Sequence, residues 1–311
     1  MPGGSTSVSA SRAQSTASWL VGLGVDPDAG RGATHSKALV IIGHDVIVKV
    51  HRTGTDPHTL ATRVQLAAAA PELIHPREPE PVSVPTELSS AWGVGEWATV
   101  WPRVETLHPD TDPGLLPWEQ AGSLLSHLHA RTPRLDGEAP TPWPVSGGPR
   151  RCRRALARLR FLDDPRAGIV RAAARTLPPP EAVLGGARLV HGDWHPGQLG
   201  REIGEPDWRL IDVDDLGRGA AVGDLARPAA FRAVGLLPEA AWEALVAGYR
   251  SGPGDALPAT GPVWDAVDLA ARWAVVVAAA GLLRDGTDAL GGAGHETLTA
   301  FIEACHSMQS E

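Results

Sequence analysis

His191-Gly192-Asp193-Trp194-His195-Pro196-Gly197-Gln198 is the stretch that decides this chain, and Leu210-Ile211-Asp212-Val213-Asp214-Asp215 completes it, with Asp212 fourteen residues after Gln198. Short apolar runs at 187–190 and 208–213 flank the polar segment. The pattern predicts two strands joined by a loop that carries the chemistry. Such a loop aims Asp193 at a substrate hydroxyl. Asp212 and the amide oxygen of Gln198 supply hard oxygen ligands for magnesium, which takes few protein groups and completes its shell with phosphate oxygens. His191, Asp193 and His195 also alternate as zinc ligands do, but no second histidine cluster stands at a matching spacing. His195 is therefore expected to be a loop or substrate-side residue.

Working outward, Lys is almost absent from the chain: Lys37 and Lys49 are the only two. Lys49 lies in the second arm of Ala38–Val50, where two β-branched runs flank Gly43-His44-Asp45, the signature of an antiparallel hairpin. Pro57 opens a helix to about Ala70, with Leu60, Val64, Ala67 and Ala68 on one face. After a Pro-rich stretch, 97–104 (WATVWPRV) reads as a strand that Pro102 interrupts, and there one lobe is expected to give way to the next. Helical spacing predicts helices over 117–130, 150–162, 167–176 and 263–283. Arg150, Arg151, Arg153 and Arg154 are expected to form a solvated face, and Asp215 to be a solvated charge. Asp214 is ambiguous, and Trp242, Trp264 and Trp273 are expected to be core. Residues 1–17 read as a tail, 18–104 as one lobe and 105–311 as a second, mostly helical one.

Composition excludes more than it assigns. The 311 residues are 43% apolar, enough to bury a core, and carry 28 Lys and Arg against 36 Asp and Glu, a net charge of −8. A nucleic-acid partner is not expected from that balance. The longest apolar run, Trp273–Leu283, is shorter than a membrane span, and the N-terminal stretch has no apolar signal core, so a soluble, cytoplasmic protein without a membrane partner is expected. Cys152 and Cys305 are too few for a disulfide framework.

On these residues the chain resembles the aminoglycoside phosphotransferase family, whose fold is like that of protein kinases and whose signature is His-Gly-Asp, four residues, Asn, then Ile-Asp. The resemblance implies an α+β, two-lobed fold: a small antiparallel sheet with one helix, then a mostly helical lobe. It implies transfer of the γ-phosphoryl group of ATP or GTP, with magnesium, to a hydroxyl of a small molecule such as an antibiotic or a sugar. Asp193 then orients the acceptor hydroxyl, His191 braces the loop, Gln198 and Asp212 hold magnesium, and Asp224 belongs to a structural Asp-Leu-Ala motif. Lys49 is matched to the phosphate-binding lysine, and Gly30-Arg31-Gly32-Ala33, with Gly32, to the loop over the phosphates. Trp101, Arg103 and Val104 fall on the hinge that meets adenine. Two departures stand out. Gln198 replaces Asn, and the helix after the hairpin lacks the glutamate that pairs with the strand lysine, leaving Gln65 or Glu72 as substitutes. Those departures motivate one alternative, a pseudokinase-like module that binds nucleotide or ligand for regulation.

Overall fold

The computed structural model describes residues 15–26, 31–33, 38–107, 111–131, 143–286 and 291–310. The chain divides into two compact units, Met1–Ala61 with Pro76–Arg103, and Thr62–His75 with Val104–Glu311.

In the first unit, helix α1 (Thr16–Gly22) starts inside the stretch read as tail. The Ser15 hydroxyl accepts the Ser18 N–H at 3.2 Å, and Trp19 and Leu20 are buried. A cap plus two apolar anchors is what the tail reading overlooked. Strands β1 (Arg31–Ala33), β2 (Leu39–Ile42), β3 (Val46–Val50), β4 (Val82–Ser83) and β5 (Trp97–Pro102) form one antiparallel sheet in the order β1-β2-β3-β5-β4. The β2–β3 hairpin forms as expected, closed by the Gly43 N–H on the Val46 carbonyl at 2.8 Å. Strand alternation buries Val46, Val48 and Val50 with Trp19, Leu20, Ile41 and Val100, and so places Lys49 on the opposite face. Helix α2 (Pro57–Ala69) starts at the expected proline and belongs to the first unit up to Ala61 and to the second from Thr62. Its buried face is Leu60, Val64, Leu66 and Ala67, whereas Ala68 is exposed. The larger Leu66 fills the flank of the stripe, and Ala68 rotates beyond its other edge. A short helix α3 (Thr86–Trp92) was not expected.

The second unit comprises β6 (Val104–Thr106), α4 (Trp118–Ala130), α5 (Gly148–Leu159), α6 (Pro165–Thr176), α7 (Pro180–Leu184), β7 (Arg188–Val190), β8 (Leu199–Glu202), β9 (Arg209–Leu210), β10 (Gly217–Gly219), α8 (Val222–Ala233), α9 (Glu239–Ser251), α10 (Trp264–Asp285) and α11 (Gly291–Ser307). Two small antiparallel sheets, β10-β7 and β6-β8-β9, carry the loops of interest. The polar segment after β7 was expected to be one long loop, yet it contains β8, held by backbone pairing to β6 and β9. The strand expected over 208–213 shrinks to Arg209–Leu210, because Asp212 takes a positive φ of 64° and a 3-10 turn follows.

Helix α10 is, by length and composition, apolar enough to cross a membrane. Its Val267, Ala270, Trp273, Val276, Ala279 and Ala280 are buried, most of them in a cluster with residues of α5, α6, α8 and α11, which accounts for its apolarity as a core helix. Trp242 and Trp273 are core as expected; Trp264 is 39% exposed and stacks on Trp242. Helices α4 and α9 meet at Gly122 and Gly248, where an added Cβ would fall on the carbonyls of Leu245 and Glu119 respectively. Gly122→Ala should therefore cost about 1–3 kcal/mol through overpacking. A lowered urea midpoint at unchanged slope is the expected reading, and an unaltered midpoint would show that the helices part freely.

Candidate functional site

The loop that leaves β7 is clamped from below by a buried carboxylate. Asp224, near the start of α8, accepts the backbone N–H of His191 at 2.7 Å and that of Gly192 at 2.8 Å, and it lies 3.0 Å from His129 Nε2 on α4. His129 Nδ1 in turn lies 2.9 Å from the Tyr249 hydroxyl on α9. Burial alone pushes the Asp224 carboxyl up, but the hydrogen bond and charge of His129, with the Gly192 N–H, hold it below the usual carboxylate value. Gly192 has a φ of 84°, and a Cβ there would fall on the Asp215 carbonyl, so only glycine fits this bend.

His191 is fully buried and its Nε2 lies 2.7 Å from the Ile211 carbonyl, which makes Nε2 the protonated nitrogen. That bond ties the loop to the segment bearing Asp212; Nδ1 has no partner among the described residues. His195 accepts the Gly197 N–H on Nδ1 at 3.1 Å and caps the 3-10 turn Pro196–Gln198. Burial first, and then the charge of Arg227, pull its pKa down to about 4, so it is neutral near pH 7. The turn delivers Gln198, whose Nε2 lies 3.4 Å from Asp212 Oδ2. Asp212 is the one non-glycine residue with positive φ among those described, a conformation that costs on the order of 1–3 kcal/mol and marks functional sites. An amide and a carboxylate facing one another, with the amide turned to offer its oxygen, fit a magnesium ion that completes its shell with phosphate and water. Among the described residues no three His, Cys, Asp or Glu side chains gather into a metal cage.

Asp193 projects from the loop with 34% of its side chain exposed. Arg151 of α5 and Arg227 of α8 both approach its Oδ1, at 3.2 and 3.1 Å. Burial raises the Asp193 pKa by more than the two guanidinium groups lower it, leaving a carboxylate with enhanced proton affinity.

The second unit thus gathers Asp193, His191, Gln198 and Asp212, while Val104 opens β6 opposite Glu202 of β8. Lys49, Gly32, Trp101 and Arg103 belong to the first unit. There the register sets Gly32, Val40, Lys49 and Thr99 in one row across four strands. Trp101 donates from Nε1 to Thr99 Oγ1 at 2.8 Å. The Arg103 N–H donates to the Asp45 carbonyl at 2.9 Å, so this amide is engaged within its own unit. Residues 31–33 of the expected phosphate loop form β1, because they continue the hairpin by pairing with β2; Gly30 lies outside the described residues. Of the two substitutes for the missing glutamate, Glu72 is bound by Arg131 through two hydrogen bonds of 2.6 and 2.8 Å, and Gln65 is exposed.

Sequence reasoning missed the cations. Arg151 is no solvated residue: it donates to the Gly192 carbonyl at 3.0 Å and to Asp215, which Arg150 also holds at 3.0 Å. Asp215 is accordingly ion-paired rather than solvated. Arg227 carried one legible signal, since it follows Asp224 by three residues and so shares its helix face. Arg151 carried none. An open groove of about 700 Å³ along α4 and α9, lined by Trp118, Glu119, Ser123 and Ala241, includes none of these site residues.

The sequence profile of the Phosphotransferase enzyme family matches residues 28–269. Choline kinase LicA from Streptococcus pneumoniae is similar in structure, with a TM-score of 0.59 at 14% identity over 94% of this chain and 97% of that one. Aminoglycoside phosphotransferase APH(3'')-Id from Streptomyces rimosus gives 0.52 at 16% identity over 81% and 94%. Spectinomycin phosphotransferase APH(9)-Ia, solved with ADP and spectinomycin, gives 0.51 at 14% identity over 93% and 95%. These likenesses show the α+β, protein-kinase-like fold. No curated protein sequence matches this one.

Proposed function

Since this chain belongs to the Phosphotransferase enzyme family, we propose that it moves the γ-phosphoryl group of ATP or GTP to a hydroxyl of an antibiotic or sugar-like small molecule. The chain is a phosphotransferase acting on hydroxyl groups; the donor, the acceptor and the residue roles are the proposal. One observation carries it: a carboxylate of raised proton affinity, Asp193, stands on the same clamped loop that delivers Gln198 to Asp212.

In this reading the acceptor hydroxyl donates a hydrogen bond to Asp193. As its oxygen bonds to the γ-phosphorus, the hydroxyl proton passes to the carboxylate and the bond to the β-phosphate oxygen breaks, releasing the nucleoside diphosphate. His191 fixes the loop through Ile211, so that Asp193 and Asp212 keep their separation. Magnesium, when held by Gln198 and Asp212, neutralises phosphate charge. Lys49 is assigned the α- and β-phosphates as a point charge, with the Gly32 backbone in the same cross-sheet row. Trp101, Arg103 and Val104 are assigned the base. The ADP in the spectinomycin enzyme supports a nucleotide donor.

The test is magnesium-dependent turnover of ATP and GTP against aminoglycosides, nucleoside and peptide antibiotics, and free sugars. At least one acceptor should stimulate transfer, and Asp212→Ala should reduce it by at least about 100-fold. Transfer that ignores magnesium, or that survives Asp212→Ala, overturns the assignment.

A further inference from the structure

Arg227 leaves most of its hydrogen-bonding capacity unused beside the reacting carboxylate. It keeps 37% of its side chain exposed and makes one hydrogen bond, to Asp193 Oδ1 at 3.1 Å. A guanidinium carries five N–H donors in a rigid plane, so its other donors have no protein partner among the described residues. Arg151 reaches the same carboxylate oxygen from α5, anchored by the Gly192 carbonyl and by Asp215. Three guanidinium groups, Arg150, Arg151 and Arg227, share two carboxylates, Asp193 and Asp215, so the cluster carries a surplus positive charge. Burial acts first to weaken the hold of Arg227 on its proton and the charge of Arg151 adds to that, while Asp193 alone opposes them. A half-buried, under-neutralised guanidinium with free donors is a receptor for a carboxylate or phosphate.

We propose that Arg227, backed by Arg151, binds an anionic group of the acceptor, so that the preferred acceptor is a hydroxylated small molecule bearing a carboxylate or phosphate close to the hydroxyl that is phosphorylated. The proposal rests on the reading of Asp193 as the group that receives the hydroxyl proton. Arg227 and Asp193 are 3.1 Å apart, so a hydroxyl on the carboxylate and an anion on the guanidinium suit one small molecule such as a hydroxy acid. A cationic acceptor would instead bring its charge against two guanidinium groups. The net charge of −8 over the whole chain favours cations only at long range, where salt screens it. A second source of the same anion chemistry is the transferring phosphoryl group itself. The one hydrogen bond that Arg227 makes is to Asp193, the carboxylate assigned to the acceptor hydroxyl, which favours the acceptor.

The test compares initial rates with MgATP for matched acceptors, glycerate against glycerol and gluconate against glucose and glucosamine, in the wild type, Arg227→Gln and Arg227→Lys. The hydroxy acid should exceed its neutral and cationic counterparts in kcat/KM by at least about 10-fold. Arg227→Gln should erase that ratio through the acceptor KM, and Arg227→Lys should restore part of it. Preference for the neutral or cationic member overturns the proposal and leaves the phosphotransferase reading intact. So does a fall in kcat by the same factor with every acceptor, which assigns Arg227 to holding Asp193 or the phosphoryl group rather than an anion of the acceptor. Calorimetric titration with glycerate and 3-phosphoglycerate reads the subsite without turnover. Binding that weakens at least about 10-fold in Arg227→Gln supports the subsite even if magnesium-dependent transfer fails, and equal or absent binding in both proteins overturns it.

Discussion

Asp193→Asn is expected to lower kcat by about 10²–10⁴-fold while leaving the nucleotide KM nearly unchanged. Asn matches the carboxylate in size and still accepts one hydrogen bond from Arg227, but it cannot take the hydroxyl proton. The variant therefore separates proton acceptance from loop geometry. The raised proton affinity of Asp193 gives the same experiment a pH signature. Activity of the wild type should fall on the acid side with a midpoint above the ordinary aspartate value of 3.8, because a protonated carboxyl accepts no proton. Undiminished kcat in Asp193→Asn would remove Asp193 from the reaction.

Asp224→Ala is expected to cost about 3–5 kcal/mol and to abolish activity with it. The substitution strips the acceptor from two loop N–H groups and from His129, all in a dry setting, and it frees the bend at Gly192 that aims Asp193. The carboxyl of Asp224 is held below its ordinary value of 3.8, burial pushing up and the His129 contacts prevailing. A depressed folded-state value means that its stabilisation is complete above the unfolded value and lost as pH falls through the folded one. Urea midpoints of the wild type should thus decline below about pH 4, and Asp224→Asn should be less stable near neutrality with a shallower acid decline. Equal midpoints for Asp224→Ala and wild type would make the buried carboxylate dispensable.

Much of this was legible before folding. The hairpin around Gly43-His44-Asp45, the helix entries at Pro57 and Pro117 and the apolar spacing of α10 are short-range patterns, and each formed close to where its residues indicated. The gathering of His191, Asp193, Gln198 and Asp212 was legible because one turn and two short strands connect them. Strand β8 was not, since its residues Leu199–Glu202 show no run or alternation and are held by backbone pairing to β6 and β9. The α2 face was misjudged by one alanine, because period alone does not weigh Leu66 against Ala68.

What the sequence by itself determined is the set of local instructions: strand and helix periods, the prolines and glycines that punctuate them, and a loop whose residue types suit phosphoryl transfer. Tertiary structure alone decided which charges meet. Glu72 found Arg131 across 59 positions rather than remaining a candidate partner for Lys49, and Arg151 found Asp215 across 64 and Asp193 beside it. Contacts of that separation leave no trace in any local period, because an ion pair asks only for proximity and opposite charge, and proximity exists only after the helices have packed. Which charges surround Asp193 is therefore a property of the packed fold.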